Sequence, residues 1–260
     1  MSSLAPTAPG AERVPGRTRP RLHGLTWLVW RQHRASFRFW TICALLLTGY
    51  LVYLHTTYAS YLSAQAAGFD PDSVAPDAGF SVAAFLLSIA PLLAGASFGT
   101  QLFEREFSDG TFALVCTQSV SRVAWVRTKL LVPALMIVLC VAPCAAALTW
   151  DYSLDPHRQQ IFLGREIFEA IGPAAVALSL VGLLVGAAAG LTLWRTGAAP
   201  VLAFLVVLAF KLCLWALPGQ LNQEADSSMQ TLQWTTTGIC VVVCAGLAAY
   251  CQRLIVRRPS

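Results

Sequence analysis

Apolar residues recur along the chain in six long runs, and the polar residues are gathered into the gaps between them. The runs cover roughly residues 39–58, 79–103, 129–150, 170–194, 198–217 and 233–253. Each is close to the 20 or so mainly apolar residues that a helix needs to cross a bilayer. The pattern therefore predicts six membrane-spanning helices. Trp40, Trp150, Trp194, Trp215 and Trp234 stand near the run ends, at the depth where amphipathic rings meet lipid headgroups.

Composition agrees with that reading. Hydrophobic residues make up 56% of the chain and charged residues 12%, against about a quarter charged in soluble domains. The charges are also unevenly shared. Fifteen of the eighteen Lys and Arg residues fall before the first run, after the last, in the second and fourth gaps, or, as Lys129 and Arg253, at the run ends that border those regions. The intervening gaps carry Asp70, Asp72, Asp77, Asp151, Asp155, Glu166, Glu169, Glu224 and Asp226 with only Arg158 and Arg165. Short basic loops stay in the cytoplasm, so both termini are expected there, in a multi-pass protein of a cytoplasmic membrane. None of the outer gaps exceeds about twenty residues, too few for a folded external domain. Sixteen Arg against two Lys, with abundant Ala, suggests a GC-rich bacterial source.

Residues 1–21 are rich in Pro, Gly, Ala and Arg and are expected to form a disordered cytoplasmic tail. They lack the apolar core of a secretory signal; Arg17, Arg19 and Arg21 could instead touch anionic headgroups. Over 22–38, Leu25, Val29, Trp30 and Phe37 share one helical arc and Arg31, Arg34 and Arg38 the opposite one. That amphipathic pattern predicts an interfacial helix lying on the membrane before the first span. The expected fold is thus an all-α integral membrane protein, with a six-helix transmembrane domain over 39–258.

Candidate chemistry is sparse. Lys211 is the single charge well inside a run; intramembrane charges mark substrate or gating sites, though a lysine near a span end can also snorkel outward. His55 is expected at the outer interface. Gly95 and Gly99, and Gly182, Gly186 and Gly190, repeat at four-residue spacing, the pattern that lets helix backbones pack closely, either within one subunit or across a dimer seam. Cys140 with Cys144 and Cys240 with Cys244 share the helical spacing, but buried cysteine more often serves as a small apolar residue, and no metal site is expected.

The second gap is the most specific stretch. It reads EREFSDGT from Glu104 to Thr111, then FALVC, then TQSVSRVAWVRTK to Lys129. Gly110 can end a helix and Thr111 can cap the next, which predicts a short helix along the membrane. The run Glu106-x-x-x-Gly110-Thr111, TQSVSR at 117–122, Trp125 and Lys129 resembles the first cytoplasmic loop of ABC type-2 exporter permeases. Six spans and a basic interfacial helix are similar to that family too, although residues 218–232 are shorter than its usual re-entrant insertion before the last span. The resemblance implies the membrane subunit of an exporter, paired with a second permease copy or a paralogue. Glu104, Glu106, Asp109, Gly110 and Thr111 would belong to the segment that sits in a groove of a separate ABC ATPase.

No G-x-x-x-x-G-K-[ST] loop occurs in the chain, so no cofactor is expected on it; ATP and Mg would be held by that partner. The bilayer is the other expected partner, and nucleic acid is not. An intramembrane enzyme would need paired catalytic residues at depth, and the runs contain no Asp or Glu there. A non-transporting accessory subunit would share the topology without needing a docking loop. The near absence of buried charge points to an amphipathic or apolar cargo, such as a lipid or a hydrophobic antibiotic or peptide.

Overall fold

A computed structural model describes residues 25–67, 77–108, 122–154, 165–193, 196–216 and 227–257. Among the described residues every regular element is a helix: α1 (Leu25–Ala66), α2 (Asp77–Ser108), α3 (Arg122–Tyr152), α4 (Arg165–Ala170), α5 (Gly172–Leu193), α6 (Ala199–Ala216) and α7 (Ser227–Arg257). Lipid offers no hydrogen bonds, so apolar segments of this length close their backbone groups within a helix. Pro91 in α2 and Pro133 and Pro143 in α3 lie inside helices that continue past them.

Five helices, α1, α2, α3, α5 and α7, are long and apolar enough to cross a membrane. The fifth predicted run, 198–217, forms α6, whose 18 residues reach about 27 Å at 1.5 Å per residue. It is shorter than the others but as apolar.

Two expectations need revision. The boundary drawn near residue 38, between an interfacial helix and the first span, falls inside α1, which continues unbroken for 42 residues. No Gly or Pro separates Leu25 from Thr48, and nothing else there stops helix propagation. At about 63 Å, α1 exceeds the full thickness of a bilayer. The fourth run, predicted from residue 170, instead begins at an elbow. Gly172 has a φ of +66°, a backbone conformation open to glycine, and Pro173 follows in the first turn of α5, where its missing N–H costs nothing. Gly172 N–H donates to Thr149 Oγ1 of α3 at 3.2 Å. The chain before the elbow is α4, so the acidic segment read as an outer gap includes a packed helix.

The core is organised around α5. Its spanning window is 78% buried, whereas those of α1 and α7 are 17% buried, which makes α5 the axis and the other two the lipid-facing rim. A helix apolar on every face belongs in such a central position. The closest partner of α5 is α2. A Cβ added to Gly95 would lie 2.6 Å from Ser179 O, and one on Gly190 would lie 2.6 Å from Thr100 O; Gly99 faces Leu183 O, Gly182 faces Leu92 O and Gly186 faces Ala96 O at still closer range. Backbone therefore meets backbone along three turns, where any side chain would hold the helices apart.

The pairings also give direction. Residues 92, 96 and 100 face 182, 186 and 190 in the same order, so α2 and α5 run parallel. Thr41 approaches Cys140, Thr48 approaches Cys144 and His55 approaches Asp151, so α1 and α3 also run parallel. Alternating crossings produce both relations.

Candidate functional site

One end of the bundle carries the bases of the 109–121 segment. There, α2 and α3 meet in a cluster with the ends of α5 and α7: Leu102, Phe103, Trp125, Val126, Leu191 and Ile255 are all buried. Phe103 and Trp125 pack edge to face, with ring centroids 5.8 Å apart. Lys129, only 2% exposed, enters this cluster from α3. Its Nζ donates to Leu102 O of α2 at 2.8 Å and lies 4.8 Å and 5.4 Å from the ring centroids of Trp125 and Phe103. On the other side of α2, Phe98 touches His33 and Phe37 of α1, with centroids at 4.9 Å and 5.4 Å.

Of the residues expected to couple to a partner, Glu104 is half-buried on the last turns of α2, and Glu106 lies on the same helix. Asp109, Gly110 and Thr111, with the short membrane-parallel helix predicted after them, lie outside the described residues, as does the tail 1–21. The five packing glycines line the α2–α5 seam.

Lys211 does not snorkel. Its Nζ lies 2.9 Å from Glu169 Oε2 of α4 and donates to Ser88 O and Ser88 Oγ of α2 at 3.1 Å and 3.4 Å. The glutamate is 3% exposed, and its pairing with a lysine offsets the cost of burying either charge. The elbow at Gly172 is what brings α4 inward against α2. Sequence reasoning assigned Glu169 to an aqueous gap because it precedes the fourth apolar run; the Ile171-Gly172-Pro173 sequence was the available signal that the chain turns there.

A second polar node lies where α1 meets the far end of α3. His55, read as interfacial, is 7% exposed. Its ring stacks on Trp150 at 3.5 Å between centroids, and its Nδ1 stands 3.7 Å from Asp151 Oδ1. Asp151, next to last in α3, is fully buried, so two acidic positions read as belonging to aqueous gaps, Asp151 and Glu169, are packed inside the protein. Lys129 likewise entered the sequence reading as a topological charge, although it is buried.

Between α1, α2 and α3 an apolar cavity of about 280 Å³ is lined by Phe37, Leu47, Pro91, Phe98, Met136 and Cys140 among others. Cys144 Sγ and Thr48 Oγ1 are 3.3 Å apart, and Cys140 Sγ and Thr41 Oγ1 4.0 Å, so these cysteines meet hydroxyls of α1. Among the described residues, no group of three or more His, Cys, Asp or Glu side chains could hold a metal ion.

This arrangement offers binding surfaces, buried charge pairs and a helix junction. The family model described as ABC-2 membrane transporter related matches residues 41–218, which takes in α2 to α6 entire and most of α1. A comparison with curated proteins gave no match. The match agrees with the resemblance carried by the 104–129 segment: the chain belongs to the ABC-2 membrane transporter related family and is a multi-pass membrane permease of that type.

Proposed function

We propose that this protein is the membrane subunit of an ATP-driven exporter, moving an amphipathic or apolar substrate across a bacterial cytoplasmic membrane while a separate ABC ATPase binds ATP and Mg and hydrolyses ATP. The observation that carries the reading is the family match across residues 41–218, because it includes the 104–129 segment together with the helices on either side. The segment from Glu104 through Asp109, Gly110 and Thr111 to about Val115 is the coupling element in this proposal.

Six crossings with both termini in the cytoplasm fit the parallel pairs α1–α3 and α2–α5 and the one-sided distribution of Arg. In this reading α6 is also a span, the fifth along the chain, since about 27 Å is close to the hydrocarbon thickness of roughly 30 Å. The apolar lining of the cavity between α1, α2 and α3 suits an apolar chain. Two permease copies, identical or paralogous, enclose the path.

The test is reconstitution with an ABC ATPase that co-purifies with the protein. The wild-type protein is expected to retain the ATPase through purification and to change its rate of ATP hydrolysis. Glu106→Lys and Gly110→Trp are expected to fold and to lose the ATPase. Binding that survives both substitutions removes the coupling assignment, and no binding by the wild type leaves the accessory-subunit reading in its place.

A further inference from the structure

The geometry points to Lys129 as a positioning residue that clamps the two bases of the coupling segment together, so that α2 and α3 move as one body when the segment is displaced. The inference deepens the proposed function and rests on it for the identity of the force, though not for the clamp itself.

Three observations carry it. First, Lys129 Nζ reaches across from α3 to a main-chain carbonyl, Leu102 O, at 2.8 Å. That carbonyl belongs to the helical ladder of α2 and has a second lone pair to offer. A link to backbone fixes the helix itself, where a link to a side chain would leave rotamer freedom. Second, the ammonium sits against both Trp125 and Phe103, one aromatic ring from each helix. Cation–π attraction strengthens when the cation is desolvated, and Lys129 is 2% exposed. Third, the position is mechanical. Leu102 lies two residues before Glu104, and Lys129 lies within two turns of the start of α3 at Arg122, so the clamp closes just inside the point where the chain leaves and re-enters the bundle.

Leu102 and Phe103 belong to the cluster that holds Leu183, Ala187 and Leu191 of α5, and α5 meets α2 backbone to backbone through the glycine seam. Val126 and Leu130 of α3 belong to the same cluster, so α5 receives a displacement from both helices, and the clamp makes α2 and α3 deliver it together rather than one after the other.

The experiment uses the full-length protein in nanodiscs, with spin labels introduced through an unnatural amino acid at Gln101 and Ala124, exposed positions on α2 and α3 outside both the clamp and the coupling segment. The unsubstituted protein is expected to give a narrow distance distribution whose mean stays constant between nucleotide-free and nucleotide-bound complexes with the ATPase. Lys129→Met keeps the stem and loses the donor and the charge. It is expected to remain monodisperse and to bind the ATPase as the parent does, while the distribution broadens at least twofold and cargo moved per ATP hydrolysed falls at least fivefold. A residue that served stability alone would lower yield or melting temperature and leave that ratio unchanged.

An unchanged distribution in Lys129→Met overturns the clamp, as does an unchanged transport-to-hydrolysis ratio. If Lys129→Met does not fold, the Lys129 parent still decides the matter: a shift of more than about 5 Å in the 101–124 distance on nucleotide binding shows the two bases moving separately. If the ATPase never binds, the proposed function fails, and the label distances without the ATPase still test the clamp.

Discussion

Glycines at the α2–α5 seam are defined by what a methyl group would strike. At Gly186 it would meet Ala96 O, whereas at Gly246 of α7 it would meet nothing within 4 Å. Gly186→Ala is therefore expected to destabilise the protein by about 1–3 kcal/mol through overpacking, and Gly246→Ala to stabilise it by about 0.5–1 kcal/mol through helix propensity. Denaturation in mixed micelles checks both, and equal effects would show that the seam is not a close contact. The same scale holds a sharper case in Lys211. Removing one partner of a buried ion pair strands the other, so Lys211→Met alone is expected to cost about 3–5 kcal/mol, and Lys211→Met with Glu169→Leu to recover most of that loss. The glycine spacing was legible in the sequence because it is a local repeat on one helix. The partner of Lys211 was not, because Glu169 reaches it only through the turn at Gly172, and an apolar-run boundary does not report which way the chain turns.

Among the elements, α1 departs most from its sequence pattern. Periodicity separated an amphipathic stretch from an apolar run, and the fold joins them in one helix, since a change in which face is apolar does not by itself break a hydrogen-bond ladder. Amide exchange is expected to show continuous protection through residues 34–44; a fast-exchanging break near residue 38 would restore two separate helices. The pairing of α1 with α3 gives a second test. Thr48 Oγ1 and Cys144 Sγ are 3.3 Å apart, so Thr48→Cys is expected to form a disulfide with native Cys144 on mild oxidation, and Gly49→Cys is not. Helix number and approximate limits were readable from hydropathy, because bilayer thickness sets a length that the chain must match. The parallel order of α1 and α3, and of α2 and α5, needed the contacts themselves.

For the whole molecule, the family was readable from one segment, Glu106 to Lys129, because its motif is contiguous in sequence. The buried polar nodes were not, since each is assembled from separate helices. The fold joins these levels: α2 and α3 tied through Lys129 and Leu102, a seam that carries α2 against α5, and charges kept inside by pairing. The most direct test of the permease assignment is co-reconstitution of the full-length protein, in proteoliposomes, with an ABC ATPase that co-purifies with it, following ATP-dependent movement of a fluorescent amphiphile. Export that requires both chains, and that Glu106→Lys or Gly110→Trp abolishes along with ATPase binding, is the predicted result. Export that proceeds without the ATPase, or an ATPase that binds equally well when both positions are replaced, would contradict it.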